Sequence, residues 1–451
     1  MSRTLPVELP DFVDEHQYQQ IVVDMLAIAK ELGASGAEVG LNSSVGLNVS
    51  VRKSDVETLE FNRDKVIGVT VYCGQCKGAA STTDISRESI RSTVTAAINL
   101  AKLTEPDPFA GLADKNDLAT ELKPLDLYHP WDIGVEQAIA LAKQCEKAAM
   151  SHDKKIVNSE GATVSTAQAY HVYGNSHGFL GFYPTSRHSL SCSVIAQDHN
   201  GMERDYQYTL SRKSHELEAA QKIGTESAAR ALARLSAKKL PTQRLPVIFD
   251  ASIASGILSH FINAISGGRL FRKTTFLLDS LDQQIFPDYV QIFERPHLLA
   301  GLGSAPFDGD GVRTADKDIV KDGIVKSYIL SAYSAKKLGM QNTGNAGGVH
   351  NLFIKTGNDD LKDLFQRMGR GLYITELMGQ GINLVTGDYS RGAAGFYIEN
   401  GEIQYPVHEV TIASNLKQMF QNLVAVGKDV DRRSSIQTGS LLIDDMMLAG
   451  S

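Results

Sequence analysis

The sequence has little cysteine, no long apolar run and no large excess of either charge. With four cysteines in 451 residues, it favours a reducing compartment over a disulfide-stapled secreted fold. No stretch of about 18 consecutive apolar residues occurs, so no membrane-spanning helix is predicted. The formal net charge of -7 argues against nucleic-acid binding. The first residues lack the apolar segment of a signal peptide, and we expect a cytoplasmic chain with no membrane partner.

What is present is an ordinary globular composition, 42% hydrophobic and 22% charged, in a chain long enough for several domains. Residues 1–14 carry prolines and acidic residues, which predicts a flexible arm. An N-terminal α+β region is expected over residues 15–240. It contains two sub-units, about 15–103 and 131–240, that each follow a helix–strands–helix pattern and are joined by a Pro-rich linker. Residues 241–451 are expected to form one C-terminal domain.

Local signals define the expected fold class further. Asp322-Gly323 and Asn400-Gly401 each separate two strand-like runs, which is typical of two-residue β-hairpin turns. Helices are expected at residues 131–151, 215–236, 252–265, 331–338, 359–369 and 414–426. We therefore predict an α+β fold, with N-terminal helix–antiparallel strands–helix layers before a large, mixed or antiparallel, β-rich C-terminal domain with helices.

Short catalytic motifs occur, but none has the context that its chemistry requires. Gly174-Asn-Ser-His-Gly178 fits the serine-nucleophile pattern, yet a strand-like run follows where a helix is needed. Cys73 and Cys76 lie in a predicted hairpin, away from a helix N-terminus. His215-Glu-Leu-Glu-Ala219 has alanine where a zinc motif needs its second histidine. The residues alone therefore indicate no self-contained active site.

Longer segments carry a more specific signal. In the C-terminal half, the sequence resembles the TldD/PmbA family, in its PmbA/TldE branch. The segments that carry the resemblance are His260-Phe-Ile-Asn-Ala-Ile-Ser-Gly-Gly268, Arg272-Lys-Thr-Thr-Phe-Leu-Leu-Asp-Ser280, Pro306-Phe-Asp-Gly-Asp-Gly-Val-Arg313, Thr343-Gly-Asn-Ala-Gly-Gly-Val-His-Asn351, Thr375-Glu-Leu-Met-Gly-Gln-Gly381, Gly387-Asp-Tyr-Ser-Arg-Gly-Ala-Ala-Gly395 and Glu399-Asn-Gly-Glu-Ile-Gln-Tyr-Pro-Val407. The N-terminal half resembles the family more loosely.

The resemblance implies a cytoplasmic metallopeptidase complex of two related subunits, TldD and PmbA/TldE, linked to peptide maturation and to turnover of unfolded protein. TldD-type chains carry a zinc helix of the form H-E-x-x-x-H and a later cysteine ligand. Here the corresponding helix has one histidine, His260, and no glutamate or second histidine. The tail Ser434–Ser440 has no cysteine. We therefore expect no catalytic residue, metal ligand or cofactor in this chain, and zinc only in a TldD-type partner.

The leading hypothesis is a pseudoenzyme subunit that forms a heterodimer with a TldD-type chain, completes its peptide chamber, and forms a homodimer when alone. Extended peptide or unfolded protein would bind by strand addition. Glycine-rich backbone and Arg391, which is suited to a carboxylate, give the peptide-binding candidates Gly344, Asn345, Gly347, Gly348, His350, Asp388 and Arg391. Two alternatives remain open. One is a homodimeric peptidase with an unrecognised site. The other is a non-enzymatic regulator, a modulator of a DNA gyrase or toxin–antitoxin system.

Overall fold

The computed structural model describes residues 15–450, and the predicted arm at residues 1–14 lies outside the described residues. The chain divides into two compact units. The first comprises the described residues through Ile195 with Asp205–Ala229 and Pro306–Thr314. The second comprises Ala196–Arg204, Arg230–Ala305 and the described residues from Ala315 onward. The domain limits near residues 103, 131 and 240 stay predictions.

The α+β fold class is confirmed, with helices and strands interspersed along the chain. The helices are α1 Glu15–Glu31, α2 Arg87–Leu103, α3 Val135–Met150, α4 Ala220–Ala233, α5 Ala251–Ala264, α6 Gly267–Arg272, α7 Ala332–Leu338, α8 Leu361–Met368 and α9 Leu416–Gln421. The strands of the first sheet are β1 Gly36–Arg52, β2 Asp55–Cys73, β3 Cys76–Thr82, β4 Ile156–Asn175, β5 Leu180–Asp198 and β6 Gly201–Ser211. The remaining strands are β7 Gln243–Phe249, β8 Ile292–Glu294, β9 Lys317–Lys321, β10 Ile324–Val325, β11 Leu352–Ile354, β12 Gly371–Ile382, β13 Asp388–Glu399, β14 Glu402–Asn415, β15 Leu423–Val426, β16 Ile436–Gln437 and β17 Leu441–Ala449.

The first unit is built on one six-stranded sheet in the order β3-β2-β1-β4-β5-β6. The two predicted helix–strands–helix layers therefore share a single sheet, because β1 pairs with β4 across the linker. One face is apolar: Val39, Leu41, Leu47 and Val49 alternate along β1 and are buried. Helices α1 and α2 cover part of this face, and α3 packs on β1 and β4.

The second unit contains a closed five-stranded barrel. Strands follow the order β14-β13-β12-β7-β17, and β17 also pairs with β14, which closes the ring. Strand β15 adds to β17 outside this ring. A separate five-stranded sheet has the order β10-β9-β8-β11-β16. Helix α5 contributes Ala254, Ile257, Leu258 and Phe261 to one apolar core, which also contains residues from the barrel and the second sheet.

Three expected helices differ from the structure at their ends. The helix predicted at 215–236 spans only Ala220–Ala233, and His215 lies in a 3-10 turn, Ser214–Glu216. The helix predicted at 414–426 ends at Gln421, because the following residues pair with β17 as strand β15. The helix predicted at 131–151 begins at Val135. None of the helices in residues 15–450 is long and apolar enough to cross a membrane.

Candidate functional site

Helix α5 is the one expected to correspond to the family's zinc helix, and its polar side presents His260. Asp250 caps the helix by accepting a hydrogen bond from the Ser252 N–H at 3.0 Å. The face opposite His260 is anchored in the apolar core by Phe261 and its neighbours. One turn before His260, Gly256 has open space where a side chain would lie. His260 is therefore held on a rigid helix beside free space.

His260 faces an aromatic ring and a cation. Its ring centroid lies 6.1 Å from that of Tyr389, in an edge-on arrangement. Burial lowers the pKa of His260, and the positive charge of Arg391 lowers it further. The imidazole is thus held neutral at pH 7. No group of three or more His, Cys, Asp or Glu side chains within residues 15–450 is arranged to hold a metal. A single imidazole with a guanidinium nearby does not fit a zinc site, which needs three protein ligands and repels a neighbouring cation.

Tyr389 and Arg391 are brought together by strand β13, because alternate residues of a strand share a face. Tyr389 is 1% exposed, yet its hydroxyl has no hydrogen-bond partner in the described part of the chain. The buried Nε of Arg391 is likewise unpartnered there, and its Nη2 makes only a long bond of 3.4 Å to the Leu377 carbonyl. Burial raises the pKa of Tyr389, against the opposing charge of Arg391, so the hydroxyl stays protonated. The Tyr389 hydroxyl and the Arg391 Nε–H thus form no well-aligned hydrogen bond within residues 15–450.

The glycine-rich segment 343–351 is organised around a buried carboxylate, Glu294 of β8. His350 donates its backbone N–H to Glu294 and places Nδ1 3.0 Å from the same oxygen. Asn345 donates its amide to both carboxylate oxygens, at 3.0 and 3.2 Å. Lys317 completes the cluster with an ion pair of 3.1 Å. Burial opposes ionisation of Glu294, but the His350 hydrogen bond and the Lys317 charge hold its pKa at about 2.

The predicted peptide-binding residues thus fall into separate groups. Asn345 and His350 meet at Glu294, and both are almost fully buried. Gly344, Gly347 and Gly348 have positive φ values of 66°, 95° and 114°, so they shape this loop through the backbone. Asp388 is exposed and accepts a bond from the Thr386 hydroxyl at 2.5 Å. It points to the face of β13 opposite Arg391, because the two residues are three positions apart along the strand.

Sequence reasoning missed three residues that define these groups. Tyr389 lies in the segment Gly387–Gly395, which carries part of the family resemblance. Its position two residues before Arg391 in a strand was the available signal, because alternate residues of a strand share a face. Glu294 and Lys317 lie 56 and 33 residues before His350 along the chain, and no local pattern connects them to it. The short motifs are turns. Ser176 lies between β4 and β5, and Cys73 is paired with Cys76 across the β2–β3 hairpin.

Models of one protein family match most of the chain. The PmbA/TldA metallopeptidase C-terminal domain matches residues 242–450, the central domain residues 128–235, and domain 1 residues 37–101. Metalloprotease PmbA of Escherichia coli O157:H7 is 49% identical over 435 residues, covering 96% of this chain and 97% of that protein. A Haemophilus influenzae PmbA homologue is 49% identical over 438 residues, covering 97% of each.

Solved structures share the fold over nearly the whole chain. A Bacteroides thetaiotaomicron protein, provisionally described as a modulator of DNA gyrase, superposes with a TM-score of 0.92 at 26% identity, covering 98% of this chain and all of that one. TldE of Thermococcus kodakarensis superposes with a TM-score of 0.80 at 18% identity, covering 95% and 100%. The chain therefore belongs to the PmbA/TldD metallopeptidase family, in its PmbA/TldE branch.

Proposed function

We propose that this chain is the non-catalytic subunit of a cytoplasmic peptidase complex, in which a TldD-type partner carries the zinc. The observation that carries the proposal is the setting of His260, on the helix expected to correspond to the family's zinc helix. Its ring lies 6.1 Å from that of Tyr389, and Arg391, two residues along the same strand, adds a positive charge that lowers the pKa of His260. A cation at this point disfavours a divalent metal, whereas it favours a carbonyl or carboxylate of a bound peptide. The chain would complete the peptide chamber, and the partner would cleave the scissile bond.

The proposed peptide contact uses the two free donors of β13. Arg391 would donate its Nε–H and Tyr389 its hydroxyl to the peptide. Neither atom has a hydrogen-bond partner within the described residues, so no existing bond of theirs has to break. Leaving such donors buried and unpaired costs about 1–3 kcal/mol each, and a bound peptide acceptor would recover that cost. Strand addition would supply the remaining, sequence-independent contacts to processed peptides or unfolded protein.

The first experiment separates this role from self-contained catalysis. The purified chain alone is assayed for bound zinc and for cleavage of an unfolded peptide, and then both assays are repeated with a TldD-type chain added. We expect neither zinc nor cleavage from the chain alone, and cleavage from the mixture. Stoichiometric zinc with chelator-sensitive cleavage by the chain alone would replace the proposal with a homodimeric peptidase. A mixture that never cleaves peptide would favour a binding regulator.

The second experiment tests the contact itself. Arg391→Gln in the assembled complex should raise KM for peptide about tenfold or more, because a charge-assisted bond is worth about 1.5–3 kcal/mol. Arg367→Gln is the matched control, since Arg367 is exposed and pairs with Asp359 at 3.1 Å. Equal kinetics for the two variants would remove Arg391 from the peptide site.

A further inference from the structure

The β2–β3 hairpin carries two cysteines directly opposite each other. In the register of the sheet, Cys73 of β2 pairs with Cys76 of β3, on either side of the turn Gly74–Gln75. Opposed residues of an antiparallel pair point to the same face, with Cα atoms about 4.5–5.5 Å apart. A disulfide spans about 4.4–6.8 Å between Cα atoms, so the backbone spacing of this pair fits a disulfide.

The turn between the two cysteines is held from two sides. The backbone N–H of Gly74 donates to the Ser35 hydroxyl at 2.9 Å, and the Gln75 carbonyl accepts from the Asp107 N–H at 2.9 Å. Gly74 has a φ of 63°, which suits the first central position of a two-residue hairpin turn. The strands are thus kept in register, and each thiol stays close to the other.

Solvent reaches these two thiols but not the other two. Cys73 and Cys76 are partly exposed, whereas Cys145 and Cys192 are 0% and 1% exposed. The hydrogen bond with Cys192 and burial both raise the pKa of Cys145, which therefore remains a thiol. Among the four cysteines, the hairpin pair alone combines a neighbouring thiol with access for a dissolved reagent.

We infer that Cys73 and Cys76 form a reversible redox site that exchanges with low-molecular-weight thiols and disulfides of the glutathione type. A catalytic redox pair needs a helix N-terminus to stabilise its thiolate, but a regulatory pair needs only two thiols within reach of each other and of solvent. In the reducing compartment that we propose for this chain, disulfides are usually transient and redox-sensing. The pair is reduced at rest and oxidised when small disulfides accumulate.

The packing of the two side chains sets the order of the exchange. Cys73 packs against the apolar cluster formed by α1, α2 and the sheet, whereas Cys76 is not part of that cluster. The Cys76 thiolate therefore attacks one sulfur of glutathione disulfide, forms a mixed disulfide and releases one glutathione. The Cys73 thiolate then attacks the Cys76 sulfur, which forms the Cys73–Cys76 bond and releases the second glutathione. Two protein thiols are oxidised, one glutathione disulfide is reduced, and the two thiol protons end on the released glutathione molecules.

The turn connects this site to the segment between α2 and α3. Asp107 of that segment donates to the Gln75 carbonyl, and its side chain accepts from the Phe109 N–H at 3.0 Å. A bond between Cys73 and Cys76 would close the turn into a small covalent ring and remove the conformations in which the hairpin opens. Oxidation should therefore stabilise the hairpin and residues 107–109 together.

Glutathione buffers test the site, and the outcome does not depend on the proposed peptide chamber. The full chain is equilibrated without oxygen at ratios from fully reducing to fully oxidising, its thiols are trapped by alkylation, and the disulfide is located by peptide mass spectrometry. We expect the Cys73–Cys76 disulfide to form and disappear reversibly, while Cys145 and Cys192 stay reduced. A pair that stays reduced in glutathione disulfide alone, or oxidation that also consumes Cys145 and Cys192, overturns the inference.

Single variants test the order of attack. Cys73→Ser should accumulate a mixed disulfide with glutathione at Cys76, because the second thiol is missing. Cys76→Ser should take up glutathione more slowly, because Cys73 packs against the apolar cluster. Equal rates in the two variants would overturn the assigned order.

Hydrogen–deuterium exchange gives a readout that incidental surface oxidation would not move. Exchange at residues 72–77 and 107–109 should be at least about tenfold slower in the oxidised chain than in the reduced chain. The double variant Cys73→Ser/Cys76→Ser, in the same two buffers, is the control and should show no difference. A disulfide that forms without slowing exchange at these residues would overturn the regulatory role.

Discussion

Replacing Glu294 with glutamine should loosen the segment 343–351 in a pH-dependent way. The carboxylate is completely buried and receives hydrogen bonds from His350 and Asn345 and an ion pair from Lys317. Glutamine nearly keeps the shape but removes the charge and one acceptor. Lys317 then remains beside a neutral amide. Breaking one partner of a buried pair costs about 3–5 kcal/mol, which is the loss expected at neutral pH.

The pH dependence follows from the low pKa of Glu294. Its value falls from 4.5 to about 2 on folding, a difference that corresponds to about 3 kcal/mol. Since the folded pKa is the lower one, this stabilisation is complete above the unfolded pKa and is lost as the pH falls towards 2. The difference between wild type and Glu294→Gln should therefore be largest above pH 5 and shrink by about 3 kcal/mol as the pH approaches 2.

Hydrogen–deuterium exchange of peptides that cover β8 and β11 is the suitable assay. It reports the opening free energy of this part of the second unit, whereas the single tryptophan, Trp131, lies in the first unit. Exchange is followed for wild type and Glu294→Gln from neutral pH into the acid range, with intrinsic rates corrected for pH. The other carboxylates titrate alike in the two proteins, so their contributions cancel when the opening free energy of the variant is subtracted from that of the wild type.

Opening free energies that change with pH in the same way in both proteins would refute the predicted pH dependence. If the opening free energies of the two proteins differ by the same amount at every pH, Glu294 does not ionise with a depressed pKa in the folded state. If they do not differ at all, the cluster contributes nothing to the order of the loop.

Three further predictions concern helices and turns. Gly224→Ala should destabilise the first unit by about 1–3 kcal/mol in urea unfolding followed by Trp131 fluorescence, because the added methyl would collide with the Cys145 carbonyl of α3. Gly256→Ala, in open space on α5, should instead protect α5 from exchange by about 0.5–1 kcal/mol, and a loss of protection there would contradict the packing described. Glu146→Gln should speed exchange at the β1–β2 turn. The Glu146 carboxylate of α3 accepts hydrogen bonds from the backbone N–H groups of Lys53 and Ser54 at 2.7 and 2.8 Å, and glutamine would lose one of them, at about 1.5–3 kcal/mol. Unchanged exchange would show that these two bonds do not hold the turn.

Local structure was predictable where the chemistry is local. The helix expected at 252–265 is Ala251–Ala264, and its apolar spacing matches the buried face. The turns at Asp322-Gly323 and Asn400-Gly401 have positive φ at both residues, as two-residue hairpins require. The hairpins follow from residues that are adjacent in sequence.

Long-range structure was not predictable from the same patterns. The pairing of β1 with β4 joins residues more than 100 positions apart, so helix and strand periodicity could not show that the N-terminal layers share one sheet. The Glu294 cluster is assembled in the same way, from three separate segments. Asn345 and His350 looked like ligand-binding residues because a short glycine-rich sequence does not show which buried carboxylate it surrounds.

Closure of the barrel by β17 has a consequence for synthesis. Strand β7 begins at Gln243, but the strand that lies between it and β14 is made only when the ribosome reaches Leu441–Ala449. About 200 residues of apolar strand and helix must therefore emerge before the ring can be completed. The second unit can close its ring only once these residues have emerged from the ribosome, and its incomplete sheet is the stage at which a molecular chaperone would be needed.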